Sequence, residues 1–240
     1  MLALFAITVS LFLYLAIRRA RRERDNLSDV VRFDALTGAS SRYQFQRRLL
    51  RKPKLESSAD QTTGMLLLDL DHFKLINDQH GHEAGDAVLK LVVERIRNVL
   101  GRDDELYRWG GEEFLLVLNE RNASTLDDKV LRLLAKIETE PMLWHGQSMA
   151  VSVSGGYVHH PLAPGWNAPL DDAIRWADAA LYVAKNAGRR RVERVELTPN
   201  GRVELEGRRP IDMPQLLDWQ RRGYLQIRTL TTITSSQQQI

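Results

Sequence analysis

Four acids in this chain are spaced to do chemistry together. Asp69 and Asp71 lie where an apolar run ends, and Glu112 and Glu113 follow directly on Gly110-Gly111. If the strands ending at these two points are neighbours, Asp69 and Glu112 face one another across a sheet end. Carboxylates so placed repel each other unless a cation lies between them. Hard, oxygen-rich sites of this kind suit Mg²⁺, which keeps waters and takes further ligands from substrate phosphates. Two such ions about 3.5–4 Å apart activate an attacking oxygen and stabilise a leaving one. A single acid at a strand end is more often simply solvated. Four of them flanking two turns favour a site, and geometry decides.

Other side chains fit the same chemistry. Gly110 and Gly111 let a phosphate or base approach the backbone, and as a tight turn they are predicted to need positive φ. Asp86 precedes Leu89 by three residues, which predicts an inward-facing carboxylate, with Asn77, His80 and His82 in a polar loop before it. Such a carboxylate either serves its helix N-terminus or accepts from guanine N1 and N2 hydrogens, while an asparagine amide bonds the purine edge. Lys74 is placed to reach a phosphate. So are Lys185 and Arg189, four residues apart at a helix end, where the helix dipole alone would also favour them.

The elements that must hold these residues alternate in type. Gly64 to Asp69 reads as a strand buried on both faces. Leu89, Val92, Val93, Ile96 and Leu100 stripe a helix from Glu83 to Leu100. Glu105 to Leu118 reads as two strands joined at Gly110-Gly111, Ala123 to Glu138 as a helix, and Ser148 to Val158 as a strand. Leu170, Ile174, Ala177, Leu181 and Ala184 stripe a further helix, with Pro169 near its start and Gly188 past its end. A short strand from Arg191 to Leu197 closes the series. A helix from about Ser40 to Leu50 and a polar loop from Glu56 to Thr63 precede it all. Mixed elements with one hairpin predict an α+β sheet domain.

The chain has 240 residues and no cysteine, which excludes disulfides, thiolate zinc sites and cysteine nucleophiles. Residues 18–24 hold five arginines and one glutamate, a charge of +4 against +3 for the whole chain, so the other residues sum to −1. The basicity is local, and no nucleic-acid partner is expected. Residues 1–17 carry no charge and are long enough for a short membrane span. The arginines behind them predict an outside N-terminus and a cytoplasmic remainder. A cleaved signal peptide expects its charge on the other side, and a remnant of a longer membrane segment is the third alternative. The expected organisation is an anchor at 1–17, a basic juxtamembrane helix or linker at 18–33, a catalytic domain at 34–196 and a C-terminal appendage at 197–240.

Arg108-Trp109-Gly110-Gly111-Glu112-Glu113-Phe114 closely resembles the signature of the GGDEF family of diguanylate cyclases. Asp34-Ala35-Leu36-Thr37-Gly38, Asp69-Leu70-Asp71-His72-Phe73-Lys74, the run Asn77 to Asp86 and the run Ala177 to Lys185 resemble further motifs of that family, in its order. The resemblance implies a palm-like, mostly antiparallel sheet flanked by helices. It implies condensation of two GTP into cyclic di-GMP and two pyrophosphates across a homodimer, with two Mg²⁺ per site and Mn²⁺ as the alternative. Asp69, the Leu70 carbonyl and Glu112 would bind metal. Glu112 and Glu113 would assist loss of the 3′-hydroxyl proton, and Lys74 would stabilise charge on the reacting phosphate. Phe73, Asn77, His82, Asp86, Gly110 and Gly111 would hold the nucleoside, and Lys185 and Arg189 the triphosphate. With the anchor, this implies a single-pass protein of the bacterial inner membrane.

One departure bears on regulation. Many family members carry an inhibitory product site, with arginine nine residues before the first signature glycine and aspartate six before it. Here those positions are Gly101 and Asp104, with Arg102 displaced by one. Ser41 and Trp109 also differ from the usual residues. A catalytically silent GGDEF-like module that binds GTP or a protein partner is the alternative function, although such modules usually lose the acids retained at Glu112 and Glu113.

Overall fold

The structure is a computed structural model that describes residues 32–51, 62–160, 170–205 and 213–231. Its centre is the strand β2 (Thr62–Leu70), whose residues from Thr63 onward are all buried. Leu66, Leu68 and Leu70 face one apolar core, and Met65 and Leu67 face a second on the other side. That double burial is why the run is apolar without alternation.

β2 pairs antiparallel with β4 (Glu113–Glu120) on one side and β7 (Val153–His160) on the other. Among the described residues the sheet has seven strands in the order β1 (Ser40–Ser41), β3 (Glu105–Arg108), β4, β2, β7, β8 (Val192–Leu197) and β9 (Leu225–Leu230). The β1–β3 and β7–β8 pairings are parallel and the rest antiparallel, so the sheet is mixed. A separate hairpin joins β5 (Met142–Trp144) to β6 (Gln147–Met149).

Helices cover both faces. α3 (His82–Arg97) and α4 (Ala123–Glu138) pack Val88, Leu89, Val92, Leu126, Val130 and Leu133 into the first core. α4 begins on a capping box, in which the Asn122 side chain accepts from the Thr125 N–H and Thr125 Oγ1 accepts from the Asn122 N–H. α1 (Arg42–Arg51) and α5 (Leu170–Asn186) fill the second core with Phe45, Trp176, Ala177, Ala180 and Leu181. α5 lies unusually close to β7. A Cβ at Gly156 would sit 1.7 Å from the Ala177 carbonyl oxygen and 2.4 Å from the Leu181 nitrogen.

Several expectations need correction. The strand read as Ser148 to Val158 is two strands: β6 folds back on β5 through His145 and Gly146, both at positive φ, and β7 joins the main sheet. Period-2 alternation runs through both, so a change of pairing partner leaves no mark on it. Asn77, His80 and His82 do not lie in a loop: Asn77 and His80 belong to α2 (Phe73–His80), which buries only Phe73 and is polar because it is exposed, and His82 opens α3. Asp86 does not face inward. α3 buries Ala84, Gly85, Val88 and Leu89, and Asp86 lies about 100° round the helix from Gly85, exposed on the flank. Residues beyond Leu197 contribute structure: β9 extends the sheet beside β8, and Leu216, Trp219 and Leu225 join the second core. Between β8 and β9 lie α6 (Pro199–Leu205) and α7 (Met213–Arg221). The expectations for residues 1–31, most of the loop from Glu56 and Pro169 fall outside the described residues. Among the described residues, no helix is long and apolar enough to cross a membrane.

Candidate active site

The antiparallel register sets Asp69 at the end of β2 directly opposite Glu113 at the start of β4. Glu112 is one residue outside the pairing, and its carbonyl accepts the Leu70 N–H at 3.3 Å. The two acidic stretches therefore meet at one sheet end, with Glu113 and not Glu112 directly opposite Asp69. Asp69 and Glu113 share the face of Met65, Leu67 and Leu115, which α5 covers. Lys185 stands one turn beyond the buried Leu181 on that helix, and its Nζ lies 2.7 Å from Asp69 Oδ2.

The electrostatics of this end are strained. Burial pushes the Asp69 carboxyl above its ordinary range, even though Lys185 pulls the other way. Burial and then the Asp69 charge raise Glu112 and Glu113 as well. Asp178 adds to the repulsion at Glu113, and Arg42 offsets part of it. One half-exposed ammonium is thus set against several crowded carboxylates. Among the described residues no group of three or more His, Cys, Asp or Glu side chains is arranged to hold a metal ion. A divalent cation here would be held by Asp69 and Glu112, with the Leu70 carbonyl, waters or a phosphate completing its shell, as is common for Mg²⁺. The crowding of buried Asp69 with half-buried Glu112 and Glu113 fits such an ion.

The turn that carries Glu112 is clamped from outside. Arg108 Nη1 donates to both carboxylate oxygens of Asp34, at 2.9 and 3.0 Å, while its Nη2 donates to the Gly111 carbonyl at 2.7 Å. Asp34 titrates below its usual range: burial alone would raise it, but bonds from Thr37 and Arg108 outweigh that. Arg42 stacks over Trp109 with its guanidinium 4.4 Å from the ring centre. Arg108, Asp34 and Arg42 are supporting residues that the acid-centred reading passed over, although Asp34 and Arg108 stood within the quoted motifs. Gly110 and Gly111 depart from expectation, for neither has positive φ. A Cβ at Gly110 would meet Glu113 Oε2 at 2.5 Å, so a side chain there would displace the Glu113 carboxylate.

Of the proposed nucleoside residues, Phe73 and Asn77 lie on α2 and His82 and Asp86 on α3. Phe73 is buried in the first core, and the Asn77 amide rests against α3, its Oδ1 2.0 Å from where a Cβ of Gly85 would be. Lys74, His82 and Asp86 are exposed. No hydrogen bond or ion pair joins Lys74, Asn77, His82 or Asp86 to the acids among the described residues. Arg189 lies past the end of α5, exposed, and near enough to Asp69 to lower its pKa.

Asp104 has another task. Its Oδ2 meets Lys129 Nζ at 2.8 Å with both side chains buried, and its two oxygens also take the Gly101 and Asn119 N–H groups. It is thus withheld from any product. Activity is expected not to decline through this site as cyclic di-GMP accumulates. Asp104→Ala is expected to cost about 1–2 kcal/mol of stability, because the Gly101 and Asn119 N–H groups lose their acceptor while Lys129 keeps Glu120 at 2.7 Å. A variant of undiminished stability that relieves product inhibition would overturn both statements; denaturant melts and progress curves measure them.

Comparison with known proteins agrees with the residues. The family model described as "Diguanylate cyclase, GGDEF domain" matches residues 31–191. The probable diguanylate cyclase DgcE of Escherichia coli (strain K12) is 31% identical over 176 residues, which cover 73% of this chain and 16% of that protein. Diguanylate cyclase DgcP of Pseudomonas aeruginosa is 35% identical over 160 residues, covering 67% of this chain and 23% of its own. The chain therefore spans less than a quarter of either relative. Among solved structures, the coiled coil and GGDEF domain of DgcB from Caulobacter crescentus, in complex with c-di-GMP, matches with a TM-score of 0.61 at 28% identity, covering 77% of this chain and 97% of that one. Motifs, matched span and structural similarity agree: this chain belongs to the GGDEF family of diguanylate cyclase domains.

Proposed function

We propose that the chain condenses two GTP molecules into cyclic di-GMP. The observation that carries this is the meeting of Asp69, Glu112 and Glu113 at one sheet end with Lys185 against Asp69. In each half-reaction a 3′-oxygen forms a bond to the α-phosphorus of the other GTP. The bond from that phosphorus to the bridging oxygen breaks, and pyrophosphate leaves. Glu112, its carboxyl raised by burial and by Asp69, is suited to take the 3′-hydroxyl proton. Lys185 and Arg189 hold the negative phosphate tail, and Lys74 on exposed α2 meets the reacting phosphate. Asn77, His82 and Asp86, with Phe73 beneath them, hold the guanine and sugar. Divalent ions, Mg²⁺ or Mn²⁺, held by Asp69, the Leu70 carbonyl and Glu112 supply charge neutralisation of the phosphates. Incubating the purified chain with GTP and Mg²⁺ tests the reading. Cyclic di-GMP is the expected product, and GTP binding without turnover would favour a silent module instead.

One acidic cluster per chain serves one GTP, so both bonds require two copies facing each other. Anchoring through residues 1–17 in the bacterial cytoplasmic membrane, proposed on sequence grounds, would concentrate copies for that encounter. Turnover per molecule is expected to fall about tenfold on tenfold dilution of a weakly dimerising sample, by mass action. A constant rate per molecule across a wide dilution series, with the chain shown monomeric throughout, would remove the requirement for two copies.

A further inference from the structure

Asp71 stands two residues from Asp69, yet its carboxylate bonds elsewhere. It is buried, with 6% of the residue exposed, and both its oxygens are engaged. Ser154 Oγ donates to Oδ1 at 2.6 Å, and Ser152 Oγ donates to Oδ2 at 2.9 Å. The Arg190 N–H donates to the same Oδ2 at 3.2 Å, and the Asp71 N–H donates to the Ser152 carbonyl at 2.9 Å. One carboxylate thereby ties the end of β2 to the start of β7 and to the turn that leaves α5.

That turn is an improbable piece of backbone. Gly188, Arg189 and Arg190 follow one another at φ +107°, 62° and 51°. Non-glycine residues hold such angles only where the surroundings over-determine them. The Arg189 N–H donates to the Ala184 carbonyl at 3.0 Å, and the Arg191 carbonyl accepts the Gly155 N–H at 2.9 Å. Between these two anchors the Asp71 carboxylate holds the Arg190 amide. Arg189 itself stays exposed, and among the described residues nothing hydrogen-bonds its guanidinium. An alanine at 71 offers no acceptor to the Arg190 N–H or to either serine hydroxyl, whereas an asparagine turned with its oxygen toward Arg190 still donates to Ser154 Oγ. The side-chain acceptor at 71 is therefore what the turn requires.

We propose that Asp71 is a positioning residue for the phosphate tail of the nucleotide. It fixes the left-handed turn so that Arg189 presents its guanidinium at the same sheet end as Asp69. This rests on the GTP reading above and adds that the tail contact, and not the guanine contact, depends on Asp71.

The test compares binding of two probes to the full chain by calorimetry: GMP, and a GTP analogue with methylene between its α- and β-phosphorus atoms. Asp71→Ala is expected to weaken the triphosphate analogue about tenfold, the scale of one charge-assisted contact, and to change GMP less than about twofold. Arg189→Ala is expected to give the same selective loss, and the double variant no further loss, because the second change removes a contact already misplaced. Should Asp71→Ala fail to fold, Ser152→Ala with Ser154→Ala loosens the same carboxylate and is expected to give a smaller loss with the same selectivity. Equal weakening of both probes, losses that multiply in the double variant, or a folded serine pair with unchanged triphosphate affinity would each overturn the proposal. Wild-type protein that binds neither probe would instead bring down the GTP reading, and this inference with it.

Discussion

Glu112→Gln is expected to lower cyclic di-GMP formation on the order of 10³-fold, within the range that loss of a general base produces. The substitution keeps the side chain's size and leaves the backbone intact, including the Glu112 carbonyl that accepts the Leu70 N–H and the Gly111 carbonyl bonded by Arg108. What it removes is a negative charge at the sheet end. In the metal-free protein that removal should not destabilise the fold. Burial and the Asp69 charge hold the Glu112 carboxyl above its unfolded value, so at neutral pH its ionised form counts against the folded state. That penalty fades as pH falls through the raised value, and the neutral glutamine lacks it throughout. Lost activity should therefore accompany a melting temperature in metal-free buffer equal to or above that of the wild type. Product chromatography and thermal melts measure the pair. A variant retaining more than about a tenth of the activity would show that Glu112 is not the base.

Gly156→Ala is expected to cost at least about 3 kcal/mol, the upper range for overpacking a core, and to depress turnover in what remains folded. The new methyl would stand 1.7 Å from the Ala177 carbonyl oxygen and 2.4 Å from the Leu181 nitrogen. Both atoms are helix backbone, so no side-chain rotation relieves the overlap and α5 must lift from the sheet. Lifting α5 disturbs the packing of Trp176, Ala177, Ala180 and Leu181, and it draws Lys185 away from Asp69. For a domain of this size the melting temperature should drop by about 6–12 °C. A drop of less than about 2 °C would mean that the helix accommodates the methyl, and the close approach would then not be what sets Lys185.

The acids and the strands that carry them were legible in the sequence for a local reason. A strand covered on both faces is apolar at every position, so Asp69 stands out at the end of β2, and Gly110-Gly111 marks the hairpin before Glu113. Asp86 was misjudged because periodicity counted from Leu89 alone ignores Gly85, a buried residue without a side chain. Asn77 and His80 were misjudged because an exposed two-turn helix has the composition of a loop. β9 and the packing of Trp219 left little signal, since a short edge strand alternates only weakly.

By itself the sequence determined which residue types were available for chemistry, the family they belong to, and the ends of the elements that bear them, because each of these is written in neighbouring residues. Only the tertiary structure decided which acids share a site. Asp69 and Asp71 look alike along the chain, yet one joins Glu112 and Lys185 while the other holds the turn of Arg189 and Arg190. The partners that separate their roles, Lys185 for one and Ser152, Ser154 and Arg190 for the other, come from residues more than 80 positions away. Sheet register and helix docking bring those partners together, and no local pattern encodes them.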